Sequence, residues 1–256
     1  MPINDYKEIT IPEGSVKQIQ DSNGNIIWGS QTAFPYRRLE YIHFNGTDNY
    51  IDTNFIITKN TSLGIKGQYE NKSGSNLNGR ILGSYSGSVT NTSRRFYFDD
   101  ADQNNFRWVA GSTWNIGNTY DLNTHWFVCA FASDFKTIAF LQRNADNNVD
   151  EYFLRQVNTT AFTGYDAHLA IGTNLNTQGG IDTAVLFKGK VYEFSVKSGS
   201  DWASTTYLRH YIPVQRKSDG KCGMYDSINK VFYLIQGTNN SSSAGPVVDE
   251  YWDLTA

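Results

Sequence analysis

Paired carboxylates are the first chemistry to look for in this sequence, because many aromatic residues accompany its acidic ones. Hydrolysis of a glycosidic bond needs two carboxylates about 5 to 10 Å apart. On one face of a strand such a pair stands two or four residues apart. No second carboxylate stands at i+2 or i+4 of Glu40, Glu70, Glu151, Glu193 or Glu250. The glutamates therefore predict no paired-carboxylate site within one strand, and a pair formed by carboxylates distant in the sequence is the alternative.

Nucleophilic catalysis has equally little support in the local sequence. The four histidines, His43, His125, His168 and His210, are scattered along the chain, and no Gly-x-Ser-x-Gly turn occurs. We therefore predict that the chain is not an enzyme.

Two cysteines allow at most one disulfide. Cys129 lies in the apolar run from Trp126 to Phe131, which favours a buried reduced thiol over a bridge. A bridge to Cys222 is the alternative.

A cluster of acidic residues offers the only candidate for metal binding. Asp99, Asp100 and Asp102 precede the amides Asn104 and Asn105, and Ca²⁺ prefers such oxygen ligands. The spacing does not fit an EF-hand loop. A solvated hairpin turn between two aromatic runs explains the same residues, so we expect no cofactor and keep calcium as the alternative.

Aromatic rings beside amides favour binding of a neutral polar ligand. The ring supplies apolar area, and the amides fix the orientation of the ligand. Such residues occur in three predicted loops, 97–108, 114–120 and 174–180. The predicted glycan-binding residues are Tyr97, Asn104, Asn105, Trp108, Trp114 and Asn115. The alternative for each ring is a place in the core.

Short β-strands must position these residues. Runs of aromatic and β-branched residues recur between clusters of Gly, Asn, Asp and Ser, as in a sandwich of short strands. In the run 191–196, alternation places Val191, Glu193 and Ser195 on one face and the other three residues on the opposite face. Only the segment 201–209 suggests a helical turn.

The first 30 residues form a small β unit in the sequence pattern. Asn23-Gly24 predicts a hairpin turn, because Asn-Gly tolerates the positive φ angles of a type I′ turn. Two or three strands are only marginally stable on their own. Their apolar residues therefore need to be covered by the main domain or by another protein. These residues are Ile9, Ile11, Val16, Ile19, Ile26, Ile27 and Trp28. Residues 31–35 are the predicted linker, and 36–256 the main domain with a C-terminal tail.

Composition and charge exclude several classes of protein. The 256 residues have a formal charge of −3, with 18% charged and 14% aromatic residues. A disordered chain has fewer aromatics, and a nucleic-acid binder usually has a basic face. The N-terminus has no signal-peptide pattern, and no apolar run approaches the ~20 residues of a membrane span. We therefore expect synthesis in the cytoplasm, no membrane insertion and no nucleic-acid partner.

Three segments in order resemble one known family. Residues 211–233 read YIPVQRKSDGKCGMYDSINKVFY, residues 39–53 read LEYIHFNGTDNYIDT, and residues 187–194 read FKGKVYEF. Together they resemble the closing, opening and intermediate segments of concanavalin-A-like (laminin-G-like) jelly-roll domains in phage and prophage structural proteins. Val214 departs from the pattern, because a Cys is common there, and no metal-ligand motif of the lectin branch is present.

The resemblance implies an all-β fold, a concanavalin-A-like jelly-roll sandwich preceded by a small N-terminal β-hairpin module. It implies a bacteriophage virion protein of fibre, tail or capsid surface, made in the bacterial host cytoplasm and displayed on the virion surface. The N-terminal module would anchor it to other virion proteins, and the sandwich would bind host-surface polysaccharide. Fibres of this kind are usually homo-oligomers, commonly trimers. A decoration protein without ligand binding and a glycan-active enzyme are the alternatives.

Overall fold

A computed structural model gives the fold. It describes residues 18–20, 26–29, 34–58, 61–70, 79–85, 95–102, 105–110, 112–116, 126–131, 137–143, 149–156, 166–199, 206–238 and 241–249. In these segments no helix is long and apolar enough to cross a membrane.

Strands dominate the described segments. The first ten are β1 (Gln18–Gln20), β2 (Ile26–Gly29), β3 (Tyr36–Leu39), β4 (Ile42–Asn45), β5 (Ile51–Ile56), β6 (Thr61–Tyr69), β7 (Arg80–Tyr85), β8 (Arg95–Asp102), β9 (Asn105–Ala110) and β10 (Ser112–Ile116). The others are β11 (Trp126–Phe131), β12 (Thr137–Arg143), β13 (Val149–Gln156), β14 (His168–Ile171), β15 (Lys188–Ser198), β16 (Tyr207–Arg216), β17 (Cys222–Asp226), β18 (Val231–Leu234) and β19 (Val247–Asp249). A 3₁₀ turn covers Thr183–Val185.

Two antiparallel sheets form a jelly-roll sandwich. The smaller sheet has the order β10-β9-β8-β7-β14-β5. The larger sheet runs β13-β12-β11-β6-β15-β16-β17-β18, with β4 beside β15 and with β3 joining β16 to β19. The prediction of an all-β sandwich is confirmed.

One apolar core joins the two sheets. Phe96 and Phe98 of the smaller sheet and Phe194 and Tyr211 of the larger sheet are fully buried in it. The Tyr211 hydroxyl donates to the Thr53 carbonyl oxygen at 3.0 Å, so its one polar atom is satisfied in the core. Because these residues fill the space between the sheets, the opposite face of each sheet is its outer face.

Pro213 lies inside β16, where a missing N–H would normally break a ladder. On one side of β16, pairing with β15 ends at Tyr211 and pairing with β3 begins at Val214. Pro213 therefore stands where β16 changes partner. Tyr207 to Arg209 also belong to this strand, so the predicted helical turn is wrong for these residues, because pairing with β15 decides their conformation.

The N-terminal hairpin is confirmed. Strands β1 and β2 pair antiparallel, with Ile19 opposite Trp28, and form a two-stranded sheet of their own. The other predicted attachment residues of the first strands, Ile9, Ile11 and Val16, lie outside the described residues.

Cys222 is a free, fully buried thiol at the start of β17. Burial raises its pKa to about 11. The unfolded thiol ionises near 9, so its contribution to stability is complete below that pH and is lost as the pH rises from about 9 to 11. We expect native protein at pH 8 to leave Cys222 unmodified by iodoacetamide, while unfolding in urea exposes it. Peptide mapping checks this, and rapid modification of Cys222 in the native protein would contradict it.

Candidate functional site

Five of the six predicted glycan-binding residues lie in strands rather than in loops. Tyr97 is in β8, Asn105 and Trp108 in β9, and Trp114 and Asn115 in β10, while Asn104 lies outside the described residues. Strands β8 and β9 and their pairing take up most of the predicted loop 97–108, and β10 takes up residues 114–116 of the predicted loop 114–120. Residues 117–120 lie outside the described residues.

The strand register divides this predicted set between two faces. Trp108 stands opposite Phe98, and Trp114 stands opposite Trp108. Cross-strand partners share a face, so both tryptophan positions are on the face of the buried Phe98. Tyr97 precedes Phe98 and is at a position on the outer face. Tyr97 therefore occupies a position on the opposite face of this sheet from Trp108 and Trp114.

The predicted calcium residues also occupy strand positions. Asp99, Asp100 and Asp102 are in β8, with a register shift between Asp100 and Asp102. The adjacent Asp99 and Asp100 take opposite faces of a regular strand. Among the residues whose side chains the structure describes, no three His, Cys, Asp or Glu side chains are grouped to hold a metal ion. The calcium prediction itself falls on side chains outside that set.

The predicted loop 174–180 is a loop, and its polar groups bind one another. The Asn176 side-chain oxygen accepts from the backbone N–H groups of Gln178 and Gly180, at 2.9 and 2.7 Å. Asn174 is buried and packs directly on β7, where a Cβ on Gly83 would collide with the Asn174 side-chain oxygen. This loop therefore covers the sheet, and the Asn176 side-chain oxygen is occupied by the loop's own backbone.

A β-bulge on the larger sheet creates a different site. On β15, Val191 pairs with Gly67 and Glu193 pairs with Lys66, so Tyr192 is the extra residue. Val191 is buried, whereas Tyr192 is partly exposed and Glu193 is exposed. The predicted alternation is therefore wrong at this point: Val191 and Glu193 do not share a face. The bulge leaves two successive side chains accessible outside the core, as bulges beside functional sites commonly do.

The bulge residue and four neighbouring side chains form one surface, called here the tyrosine–lysine face: Tyr41, Lys66, Gln68, Lys190 and Tyr192. The two tyrosine rings meet edge to face, with centroids 5.6 Å apart. Lys190 Nζ lies 4.9 Å from the Tyr41 centroid, and Lys66 Nζ lies 5.1 Å from the Tyr192 centroid. Each cation–π contact is worth about 0.5 to 1 kcal/mol at an exposed site. The contacts hold both rings in place.

The Tyr192 hydroxyl donates to Gln68 Oε1 at 3.0 Å. Burial, with the charges of Glu40 and Glu70, raises the pKa of Tyr192 to about 12. The phenol is therefore neutral at physiological pH and acts as a hydrogen-bond donor. This contact orients the Gln68 side chain beside the Tyr192 ring.

A chain of hydrogen bonds continues from this face. His210 Nε2 lies 2.8 Å from Glu193 Oε1, and His210 Nδ1 lies 3.2 Å from Ser227 Oγ. The Tyr207 ring packs on the His210 ring with centroids 5.0 Å apart. The bond from His210 lowers the pKa of Glu193.

Sequence reasoning missed both groups of residues. Tyr192 and Glu193 read as an ordinary alternating strand, and His210 is 17 residues from both Glu193 and Ser227. The signal that was available is the segment FKGKVYEF, which locates β15, but the bulge depends on how β15 pairs with β6.

Comparison with known protein families gives no match, and comparison with curated proteins gives none either. Solved structures with similar folds include a putative carbohydrate binding protein from Bacteroides ovatus, at 13% identity and a TM-score of 0.46, covering 78% of this chain and 59% of that protein. The chain thus spans less than two thirds of that protein.

Two other similar structures are smaller. The CBM40 of a Ruminococcus gnavus sialidase, solved with sialyllactose, has 12% identity, a TM-score of 0.43 and coverage of 66% of this chain and 93% of that one. An SAP-like pentraxin from Limulus polyphemus has 11% identity, a TM-score of 0.41 and coverage of 64% and 78%.

Proposed function

We propose that this chain is a bacteriophage virion structural protein whose sandwich domain binds host-surface glycans through the tyrosine–lysine face. The observation that carries the binding proposal is the bulge at Tyr192, which presents an aromatic ring and a carboxylate side by side outside the core.

A glycan suits this surface for a chemical reason. A sugar ring has an apolar face of C–H groups and a rim of hydroxyls, so it needs a ring to pack on and polar groups around that ring. Tyr192 supplies the ring, Gln68 and Lys66 supply donors, and Glu193 supplies an acceptor. Because existing contacts already fix the rings, little side-chain freedom is lost on binding.

We expect weak affinity at a single site of this exposed kind, which several copies on one particle would compensate by avidity. This agrees with the proposed display of a homo-oligomer on the virion surface. The virion role itself is supported by the three ordered sequence segments and by the separate β1–β2 hairpin, which we propose as the attachment module to other virion proteins.

Binding of the full chain to an array of bacterial surface polysaccharides, and to whole bacterial cells, tests the binding proposal. We expect binding by the natural chain and loss of most of it in Tyr192→Ala. No binding to any polysaccharide or cell, with the protein folded, would instead support a purely structural decoration protein.

The virion role is tested separately. Phage particles assembled with a chain lacking residues 1–30 are expected to lack the protein, as judged by mass spectrometry of purified particles. Normal incorporation of the shortened chain would contradict the attachment proposal while leaving glycan binding open to its own test.

A further inference from the structure

We propose that Ser227, His210 and Glu193 form an acyl-transfer centre that removes ester-linked acetyl groups from a glycan. Its substrate class rests on the proposed glycan binding, whereas the reactivity of Ser227 rests on geometry alone. The three side chains form one continuous hydrogen-bonded chain, with the imidazole between a hydroxyl and a carboxylate. Hydrolases that use a serine nucleophile have this arrangement of nucleophile, base and orienting carboxylate.

The carboxylate fixes the protonation of the ring. Glu193 can only accept, so His210 Nε2 carries the proton of the 2.8 Å bond. In the neutral ring, Nδ1 is then the acceptor for the Ser227 hydroxyl. His210 is thus a base for Ser227, and Glu193 is a positioning residue that stabilises the imidazolium when it forms.

The three hydrogen-bonded side chains of the centre are accessible to a ligand. The side chains of His210 and Glu193 are 25% and 48% exposed, and Ser227 is partly exposed in the turn that follows β17. Asp226 organises this turn, accepting from the backbone N–H groups of Ile228 and Asn229 through Oδ1.

The centre adjoins the tyrosine–lysine face. Glu193 follows Tyr192 directly and is the register partner of Lys66, whose ammonium lies over the Tyr192 ring. A sugar packed on Tyr192 would therefore have its substituents beside Glu193 and His210. An O-acetyl group is a common ester substituent that this chemistry could remove.

The reaction balances without a cofactor. Ser227 Oγ attacks the acetyl carbon while its proton moves to His210 Nδ1, and the sugar oxygen leaves with that proton. Water then attacks the acetyl carbon of the acetyl-serine, and one of its protons passes through His210 Nδ1 to Ser227 Oγ as the ester bond breaks. Acetic acid leaves and gives its remaining proton to solvent. The N–H of Ser227 already donates to the His210 carbonyl oxygen at 2.8 Å, so we expect slow turnover, with oxyanion stabilisation left largely to solvent.

Treatment of the full chain with p-nitrophenyl acetate tests the centre without any glycan. Peptide mapping by mass spectrometry is expected to find an acetyl group on Ser227. Neutral hydroxylamine should remove this ester, whereas acetylated lysines are amides and resist it.

Matched variants separate a reactive centre from ordinary surface labelling. Ser227→Ala should abolish the labile adduct, and His210→Gln should slow its formation at least tenfold, a conservative figure for a lost general base that contributes about a hundredfold or more. Ser198→Ala and His168→Gln, which change a serine on β15 and a histidine paired with Asp52, should leave the adduct unchanged. Circular dichroism establishes that each variant is folded.

Glu193 is tested by two substitutions. Glu193→Gln should slow adduct formation, and Glu193→Asp should restore part of the rate, because it restores a carboxylate. Absence of a labile acetyl group on Ser227, or its equally fast formation in folded His210→Gln, would overturn the proposal. Either result would leave the binding test of Tyr192 unaffected.

Discussion

Replacing Asp226 with alanine is expected to lower the free energy of unfolding by about 3 kcal/mol. The Asp226 side chain is fully buried at the end of β17. Its Oδ1 accepts from the backbone N–H groups of His210, Ile228 and Asn229, at 3.2, 3.0 and 3.3 Å. Its Oδ2 accepts from the Asn229 amide at 2.8 Å and lies 3.4 Å from Arg209 Nε. Alanine removes every one of these acceptors.

Asp219→Ala is the matched control, because it is the same change in the neighbouring turn. Asp219 is exposed and pairs with Arg216 at 2.6 Å, and surface pairs contribute little. Equilibrium unfolding in urea measures both variants. Equal losses for the two aspartates would contradict the account of this turn.

Because Asp226 also orders the turn that carries Ser227, Asp226→Ala should slow acetylation of Ser227, even under conditions where the protein remains folded.

Replacing Tyr192 with alanine is expected to weaken glycan binding by roughly ten- to thirtyfold, which corresponds to about 1.4 to 2 kcal/mol. The change removes the ring on which the sugar packs. It also removes the surface that supports the Lys66 ammonium and the hydroxyl that orients Gln68. Isothermal titration calorimetry, with a polysaccharide fragment found on the array, measures the effect.

Tyr192→Phe is the control for this change. It keeps the ring and the contact with Lys66, and it loses only the hydrogen bond to Gln68. We expect its affinity to stay within about threefold of the natural chain. An equal loss in Tyr192→Phe and Tyr192→Ala would show that the hydroxyl, and not the ring, carries the binding.

Local signals were sufficient for the overall architecture. The Asn23-Gly24 turn predicted the hairpin that β1 and β2 form, and the short runs of aromatic and β-branched residues predicted a sandwich of short strands. These features depend on residues close together in the chain, so the sequence contains them directly.

The bulge and the faces of several side chains depend on pairing between strands that are distant in the sequence, and the sequence did not predict them. The bulge at Tyr192 exists because β15 pairs with β6, and it reverses the face that alternation assigns to Glu193 relative to Val191. The register of β8, β9 and β10 likewise separates Tyr97 from Trp108 and Trp114. A shift of one residue changes the face of every side chain in a strand, and no local pattern reports it.

The His210 centre illustrates the same limit. Three strands in sequence, β15, β16 and β17, must pair in the observed register before Glu193, His210 and Ser227 meet. Scattered histidines therefore say little against a hydrogen-bonded constellation in a sheet protein.

Mapping the bound glycan by NMR tests the central claim most directly. Backbone amide shifts of the full chain are followed while the array-selected polysaccharide fragment is added. We predict that the largest shifts cluster at Tyr41, Lys66, Gln68, Lys190 and Tyr192. Shifts clustered instead at Tyr97 and Asn115 on the smaller sheet, with β6 and β15 unchanged, would contradict the assignment of the binding site to the larger sheet.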